Sequence, residues 1–340
     1  MGFRIGSFNL YKLNFQSNTE RRKKFESIAN IIVREEYDIV AFQEVLSEQA
    51  CKELLINLGP NWEGRWEFPP KSSNMAAEGY AFVWNKMRIH LAQNAEGKYF
   101  EPRILNQYKI NKASGQTELI RNPYFGRFVP KLLPKLEFRL INVHFRFTKD
   151  DEIELSAIKQ RKNEYSVLTE AIYPKYEDKR YGNNCAAYTF ILGDYNLNIV
   201  RPTILDGRDK NCKLDEIVYL DDRVIKTVQD QLTTLKRDNG ESSSNENESG
   251  ARIENQKKEK IKSDAADAMG KTQDFYANNY DHFTYNASIE QRLFVLNQRI
   301  DAVTKYYNKD AGKYRCEVSD HVPIKLYVEP NTYNVQVMEG

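Results

Sequence analysis

The sequence predicts an α/β protein with sheets packed between helices. Short, nearly continuous apolar runs such as "DIVAFQEV" (38–45) and "YTFILGDYN" (188–196) have the texture of strands covered on both faces. Amphipathic stretches of helical period separate the early ones, and strands dominate later in the chain. At 340 residues, 41% hydrophobic and 29% charged, the chain has the material for a sizeable core.

The first strand is expected at "FRIGSFNL" (3–10). The following "TERRKKFESIANIIVREEY" puts Phe25, Ile28, Ile31 and Ile32 on one helical face with charges opposite. "DIVAFQEV" is the second strand. "SEQACKELLINLG" is a helix opened by Ser47 and closed by Gly59 and Pro60. Strands are expected at "RWEF", "GYAFVWN" and the alternating "FRLINVHF", then a helix over 150–172, then the strand "YTFILGDYN" ending in a glycine turn. From Lys236 to Asp264 the chain is polar, charge-mixed and nearly free of large apolar groups, the composition of an exposed insertion. Strands resume at "YDHFTYN" and "RIDAVTKYY", and "HVPIKLYV" is the last. No repeat of fixed period is present. One domain is expected over 1–340, with the insertion at about 236–270.

Net charge is +2, which announces no nucleic-acid binder by itself, although a local basic patch is compatible with it. Aromatic residues reach 12%, with 21 tyrosines, enough for a stacking surface as well as a core. Cys51, Cys185, Cys212 and Cys316 are scattered without a CxxC pair, which fits a reducing compartment and argues against zinc. The opening "MGFRIGSFNLYKL" is strand-like and not a charged segment followed by an apolar one, and no window has the apolar length of a membrane span. A cytoplasmic location without membrane contact is expected.

Polar groups recur where apolar strands end. "FRIGSFNL" carries Asn9, "DIVAFQEV" Glu44, and "FRLINVHF" His144, with Asn142 on the same face by strand period. In "ILGDYN", Asp194 and Asn196 stand two apart, so both can face one side. "EVSDHVPIKLYV" puts Asp320 and His321 before the last strand. Any one of these could be an ordinary strand end meeting a polar loop. Charged groups are costly to bury alone, so their recurrence points to one shared site.

In order, the motifs are "FNL" at Asn9, "QEV" at Glu44, "EGYAFVWN" at Glu78, "RNP" at Arg121, "NVHF" at His144, "GDYN" at Asp194 and Asn196, "YDH" at Asp281 and "SDH" at Asp320 and His321. This series resembles the endonuclease/exonuclease/phosphatase superfamily, whose best-known member is deoxyribonuclease I, over nearly the whole chain outside the insertion. The resemblance implies a four-layer sandwich, two central mixed β-sheets flanked by helices, with the site at one edge. It implies that His321 pairs with Asp281 and His144 with Glu78. His321 would be the general base, and His144 the general acid or a cation for the phosphate. Arg121, Asn196 and Asn9 would contact the substrate, and Asp194 and Asn196 would orient the attacking water. Glu44 and Asp320, with Asn9 holding Glu44, would bind Mg²⁺, for which Mn²⁺ or Ca²⁺ could substitute or assist. Hard carboxylate oxygens suit such cations, and a carboxylate beside an imidazole favours its protonated form.

Rival readings exist for several positions. Glu78 can be a solvated turn residue and Arg121 a surface charge, while Asp301 of "QRIDAV" competes with Asp281; His90 and His282 match no motif. The pattern also departs from the deoxyribonuclease I branch. Leu46 stands where that branch has an arginine, Ala76 and Ala77 stand where it has a tyrosine, and no cysteine lies close to Asp281 to form its disulfide. The expected activity is a divalent-metal-dependent phosphodiesterase, a nuclease acting on DNA by preference. The alternatives are a phosphomonoesterase or lipid phosphodiesterase, then a catalytically dead binding module. Oligomeric state is not encoded in any motif.

Overall fold

The computed structural model describes residues 2–15, 19–68, 78–105, 119–147, 151–181, 185–200, 217–219, 225–228, 231–236 and 275–331. Two sheets form its centre. One runs in the order β14 (Leu293–Arg299), β15 (Ile324–Pro330), β1 (Phe3–Leu13), β2 (Ile39–Val45), β4 (Gly79–Asn85) and β3 (Trp62–Glu67). The other runs β12 (Ile225–Val228), β13 (Asp281–Asn286), β9 (Ala186–Asp194), β8 (Leu136–His144), β7 (Tyr124–Pro130) and β5 (Ile89–Leu91), with β6 (Arg103–Ile104) also on β7. A short parallel pair, β10 (Asn198–Val200) with β11 (Ile217–Tyr219), stands apart.

Both sheets are mixed in the same way. A parallel pair, β1 with β2 in one and β8 with β9 in the other, is flanked on each side by antiparallel neighbours. That pattern decides where the motifs emerge. The C-terminal ends of β1, β2, β8 and β9 lie at the same edge as the N-terminal ends of β4, β7, β13 and β15. Every motif sits at one of these ends.

The rows facing between the sheets show how the sequence builds that edge. Successive inward residues read Phe3, Ile5, Ser7, Asn9 on β1; Ile39, Ala41, Gln43 on β2; Leu136, Phe138, Leu140, Asn142, His144 on β8; and Tyr188, Phe190, Leu192, Asp194 on β9. Each row is apolar through the sandwich and turns polar in its final steps. The polar steps pair with one another across the sheets: the Gln43 amide donates to Asn142 Oδ1 at 2.7 Å and to Ser7 Oγ at 3.1 Å, and Asn142 donates to the Phe42 carbonyl at 2.9 Å. Pairing these buried amides limits the penalty of unmet polar groups, with Gln43 Oε1 left without a hydrogen-bond partner among the described residues.

Helices cover both outer faces, completing four layers. α1 (Thr19–Arg34) and α2 (Glu48–Leu58) pack on the first sheet through Phe25, Ile28, Ile32, Ala50 and Leu54, joined by the late helices α5 (Ala302–Tyr307) and α6 (Ala311–Glu317). α3 (Asp151–Val167), a π-helical turn (Leu168–Ile172) and α4 (Tyr173–Glu177) cover the second sheet. Ser47 caps α2 as its sequence suggested, its hydroxyl accepting the Ala50 N–H at 3.2 Å, and Gly59 ends the helix at φ +90°.

Several elements depart from the sequence reading, the short strands β5, β6 and β10–β12 and helix α6 among them. "RIDAVTKYY" is a helix from Ala302, not a strand: Asp301 caps it by accepting the Thr304 N–H at 3.1 Å, Ala302 and Val303 turn inward, and Asn308 closes it at φ +53°. A local cap has overridden an alternating pattern that also suited a strand. The strands β7 and β14 carry no clean alternation and were not expected. β7 is buried along its whole length, while β14 is a sheet edge that leaves Phe294 and Leu296 about half exposed. Most of the expected insertion, 237–270, lies outside the described residues. No helix among the described residues is long and apolar enough to cross a membrane.

Candidate active site

At the polar edge, a cavity of about 450 Å³ is lined by Glu44, Glu78, Arg121, His144, Asp194, Asn196, Asp320 and His321, with Tyr11, Lys12, Phe147 and Tyr280 among its rim residues. Side chains from six separated motifs therefore share one surface. Asn9 and Asp281 stand directly behind it.

Asn9 is the bracket between the sheets. Its Nδ2 donates to Glu44 Oε1 at 3.0 Å and to Asp194 Oδ2 at 2.9 Å, while its Oδ1 accepts the Tyr11 N–H at 3.0 Å. Glu44 Oε2 accepts the Lys12 N–H at 3.0 Å. The backbone bends sharply here: Tyr11, Lys12 and Glu44 have φ of +46°, +52° and +60°, and the β1–β2 register shifts after Asn9. Left-handed backbone at non-glycine residues is strained, and such strain gathers at sites that must aim a side chain. The bend turns Glu44 into the cavity and Tyr11 onto its rim.

Asp194 ends β9. The preceding glycine is obligatory: a Cβ on Gly193 would lie 2.0 Å from the Val143 carbonyl oxygen, and its φ is +149°. Asp194 Oδ1 accepts the Asn196 N–H at 2.8 Å, and Asn196 Nδ2 donates to the Phe145 carbonyl at 2.8 Å. Asn196 has φ +47°, so a left-handed turn beyond the strand brings it beside Asp194. The strand-period reason for their shared side was mistaken, although both line the cavity. Burial pushes the Asp194 carboxyl up; the positive charges of His321 and His144 oppose the rise and Asp281 adds to it.

His321 Nδ1 lies 2.8 Å from Asp281 Oδ2, and its Nε2 3.7 Å from Asp194 Oδ2. Burial works against the protonated ring, yet the charges of Asp281 and Asp194 and the Asp281 hydrogen bond prevail and hold His321 well above the ordinary histidine range. The serine of "SDH" joins it to the first strand: Ser319 Oγ donates to the Asn9 carbonyl at 2.7 Å and accepts the His321 N–H at 3.1 Å. A strap at 233–235 fastens the last two motifs. Thr233 Oγ1 accepts the Tyr280 and Asp281 N–H groups at 3.2 Å, and the Asp320 carbonyl accepts the Leu235 N–H at 2.8 Å. Asp301 is excluded from this pairing: it caps α5 and accepts the Tyr276 hydroxyl at 2.6 Å.

Around His144 the expected partners are present in a tighter arrangement. Arg121 Nη2 meets Glu78 Oε2 at 2.6 Å, and Arg121 Nη1 lies 3.1 Å from His144 Nδ1, which is 3.3 Å from Glu78 Oε2. Only one of the two contacts at Nδ1 is a hydrogen bond at a time, since Arg121 brings a proton and Glu78 needs one. The Tyr80 hydroxyl accepts the His144 N–H at 3.1 Å. Burial works to raise the Glu78 carboxyl, but its contacts with His144 and Arg121 outweigh this and hold it below the ordinary value. His282 faces away, its Nε2 2.9 Å from the Leu197 and Asn279 carbonyls.

Donor atoms of Glu44, Glu78 and His144 lie within 4.8 Å of one another, close enough to hold a cation together. Asp320, paired with Glu44 in the sequence reading, is not in that group. Glu78 is already paired with the Arg121 guanidinium, whereas Glu44 Oε1 faces the His144 ring, 3.7 Å from its Nε2. Asp320 Oδ1 is buried on the cavity wall without a hydrogen-bond partner among the described residues. An orphaned carboxylate oxygen and a hard-oxygen donor set fit a cation such as Mg²⁺. The sequence reading missed Ser319, Tyr80, Gln43 and the strap at 233–235. Ser319 in "SDH", Gln43 in "QEV" and Tyr80 in "EGYAFVWN" lie inside the motifs themselves, whereas the strap carried no local signal.

No family model matches the chain, and no curated protein matches it. Solved structures do. A Bacteroides vulgatus endonuclease/exonuclease/phosphatase is 13% identical with a TM-score of 0.51, covering 97% of this chain and 100% of the other. The mannosyl-6-phosphatase of Bacteroides thetaiotaomicron is 14% identical, TM-score 0.51, covering 96% and 99%. A humanized D. rerio TDP2 carrying 14 mutations is 13% identical, TM-score 0.50, covering 96% and 99%. The fold of this chain is the four-layer α/β sandwich of the endonuclease/exonuclease/phosphatase structures.

Proposed function

We propose that the chain is a divalent-metal-dependent phosphoester hydrolase, organised as one catalytic unit over 1–340, whose preferred substrates are phosphodiesters of nucleic acid, DNA first. The observation that carries this reading is the His321–Asp281 contact at 2.8 Å in a cavity shared with Asp194, Glu44, His144 and Arg121.

His321 takes a proton from the attacking water at Nε2. Asp281 holds Nδ1–H and stabilises the imidazolium that forms. The raised affinity of His321 for its proton favours that imidazolium, so the ring that acts as base is its neutral form, populated toward alkaline pH. Asp194 and Asn196 orient the water and a phosphate oxygen, with Asp194 held in place by Asn9. Arg121 and His144 offer positive charge to the phosphate, pre-set by Glu78 before substrate arrives. Glu44 and Asp320 would hold Mg²⁺, which when bound neutralises charge on the phosphate oxygens. Cys51, Cys185 and Cys316 are free thiols, which suits the reducing, cytoplasmic setting we infer.

A phosphomonoesterase reading is kept alongside because the mannosyl-6-phosphatase matches this fold as well as the Bacteroides vulgatus endonuclease/exonuclease/phosphatase does. A substrate panel decides between them. Plasmid, single-stranded DNA, RNA and sugar or inositol phosphates are incubated with the protein and Mg²⁺, with a chelator control. Cleavage of nucleic acid abolished by chelator, and lost in His321→Ala and Asp194→Ala, is expected. Phosphate release from monoesters with intact nucleic acid would replace the nuclease reading with the second. No hydrolysis of any member would reject both.

A further inference from the structure

Arg121 reaches Glu78 and His144 from a short stretch, Leu119 to Pro123, that leads into β7. A long side chain aims only as well as its backbone is held. Glu164 of α3 supplies the hold. It is 1% exposed, and its Oε1 accepts the N–H of Ile120, the residue before Arg121, at 2.7 Å. Its other oxygen, Oε2, is buried with no hydrogen-bond partner among the described residues.

A packing role alone does not call for a carboxylate there. The neighbouring residues Tyr165, Val167 and Leu168 belong to the apolar layer between α3 and the sheet, where an aliphatic side chain would bury at no such penalty. Burial pushes the Glu164 carboxyl up to about 7, opposed by the Ile120 N–H and by the charges of Arg121 and Arg161. The Tyr80 phenol, whose oxygen takes the His144 N–H, also feels the Glu164 charge. Glu164 thus stands directly behind the Arg121–Glu78–His144 cluster, linked to it through one peptide.

We propose that Glu164 is a positioning residue whose carboxylate clamps the Ile120 backbone and thereby aims the Arg121 guanidinium at Glu78 and His144. The inference builds on the phosphoester-hydrolase reading, but its geometry is independent of turnover.

The test is a double-mutant cycle on the full chain, with bis(p-nitrophenyl) phosphate and Mg²⁺. Glu164→Ala is expected to lower kcat/KM by about 10-fold, the order a misplaced charge contact produces. Glu164→Gln, whose amide oxygen still accepts the Ile120 N–H, should stay within about threefold of the parent. In an Arg121→Ala background, Glu164→Ala should add less than about twofold, since both changes act through one side chain. An equal loss in both backgrounds, or none in the parent, overturns the proposal. Ile120→Pro, which removes the donated N–H and keeps the carboxylate, should reproduce the Glu164→Ala loss, and full activity there overturns it if Glu164→Ala fails to fold. The imidazole NMR signals of His144 give a readout without turnover: in Glu164→Ala they should move toward their positions in Arg121→Ala. Unmoved signals refute the positioning role. Moved signals in a protein that hydrolyses nothing would uphold it while removing the hydrolase reading.

Discussion

Glu164→Gln should also change how stability depends on pH. The carboxyl titrates near 7 in the folded chain, against an ordinary value of 4.5, because burial disfavours its charge. The folded state therefore binds this proton more tightly than the unfolded state. Stability from this group is intact below about 4.5, falls as pH rises from there to about 7, and is level above. At about 1.4 kcal/mol per pH unit, the separation corresponds to about 3 kcal/mol. Glutamine has no charge to bury and retains an acceptor for Ile120. The stability of the variant relative to the parent should thus increase by about 3 kcal/mol between pH 4 and pH 8. Other titrating groups are common to both proteins and cancel in the difference. Parallel urea unfolding across that range measures it. A difference that is constant with pH, or that shrinks as pH rises, would refute the account of Glu164 as an acid that binds its proton more tightly in the folded chain.

Two further variants probe the frame of the site. Gly193→Ala would drive a Cβ to within 2.0 Å of the Val143 carbonyl oxygen and strain a backbone at φ +149°, so a loss of about 3–5 kcal/mol is expected, with turnover falling because Asp194 is the next residue. Unfolding midpoints matching the parent would show that β8 and β9 do not approach so closely. Asn9→Ala removes both side-chain bonds that steady Glu44 and Asp194. The Mg²⁺ concentration for half-maximal turnover should rise about 10-fold, as for other residues that orient a metal ligand, and an unchanged metal titration would detach Asn9 from that role.

Asn9, His144 and Asp194 were legible in the chain because strands have a period of two, whereas Glu44 stands one step off the inward row and reaches the cavity through the bend at its φ of +60°. An inward row that runs Phe3, Ile5, Ser7, Asn9 announces both a buried face and the point where it turns polar. The helix cap at Ser47 and the apolar face of α1 were equally local and equally readable. Less local features were not. "RIDAVTKYY" suits either period, and a single cap from Asp301 decided for helix. Glu164, within the polar run "IKQRKNEYSV", looks like a solvated residue until α3 is seen to press it under the Arg121 segment.

Residue types, their order and the ends of the strands were thus written into the sequence by side-chain chemistry and backbone periodicity. Which ends meet was not, since two sheets of like pattern can face one another in several ways without altering either pattern. Contacts such as Asn9 with Asp194, 185 residues apart, and Ser319 with Asn9, 310 apart, exist only after the sheets stack with their polar edges together. The choice between Asp281 and Asp301, the Glu78–Arg121 pairing and the raised affinity of His321 for its proton are products of that stacking. Each depends on distance and burial, which sequence separation does not measure.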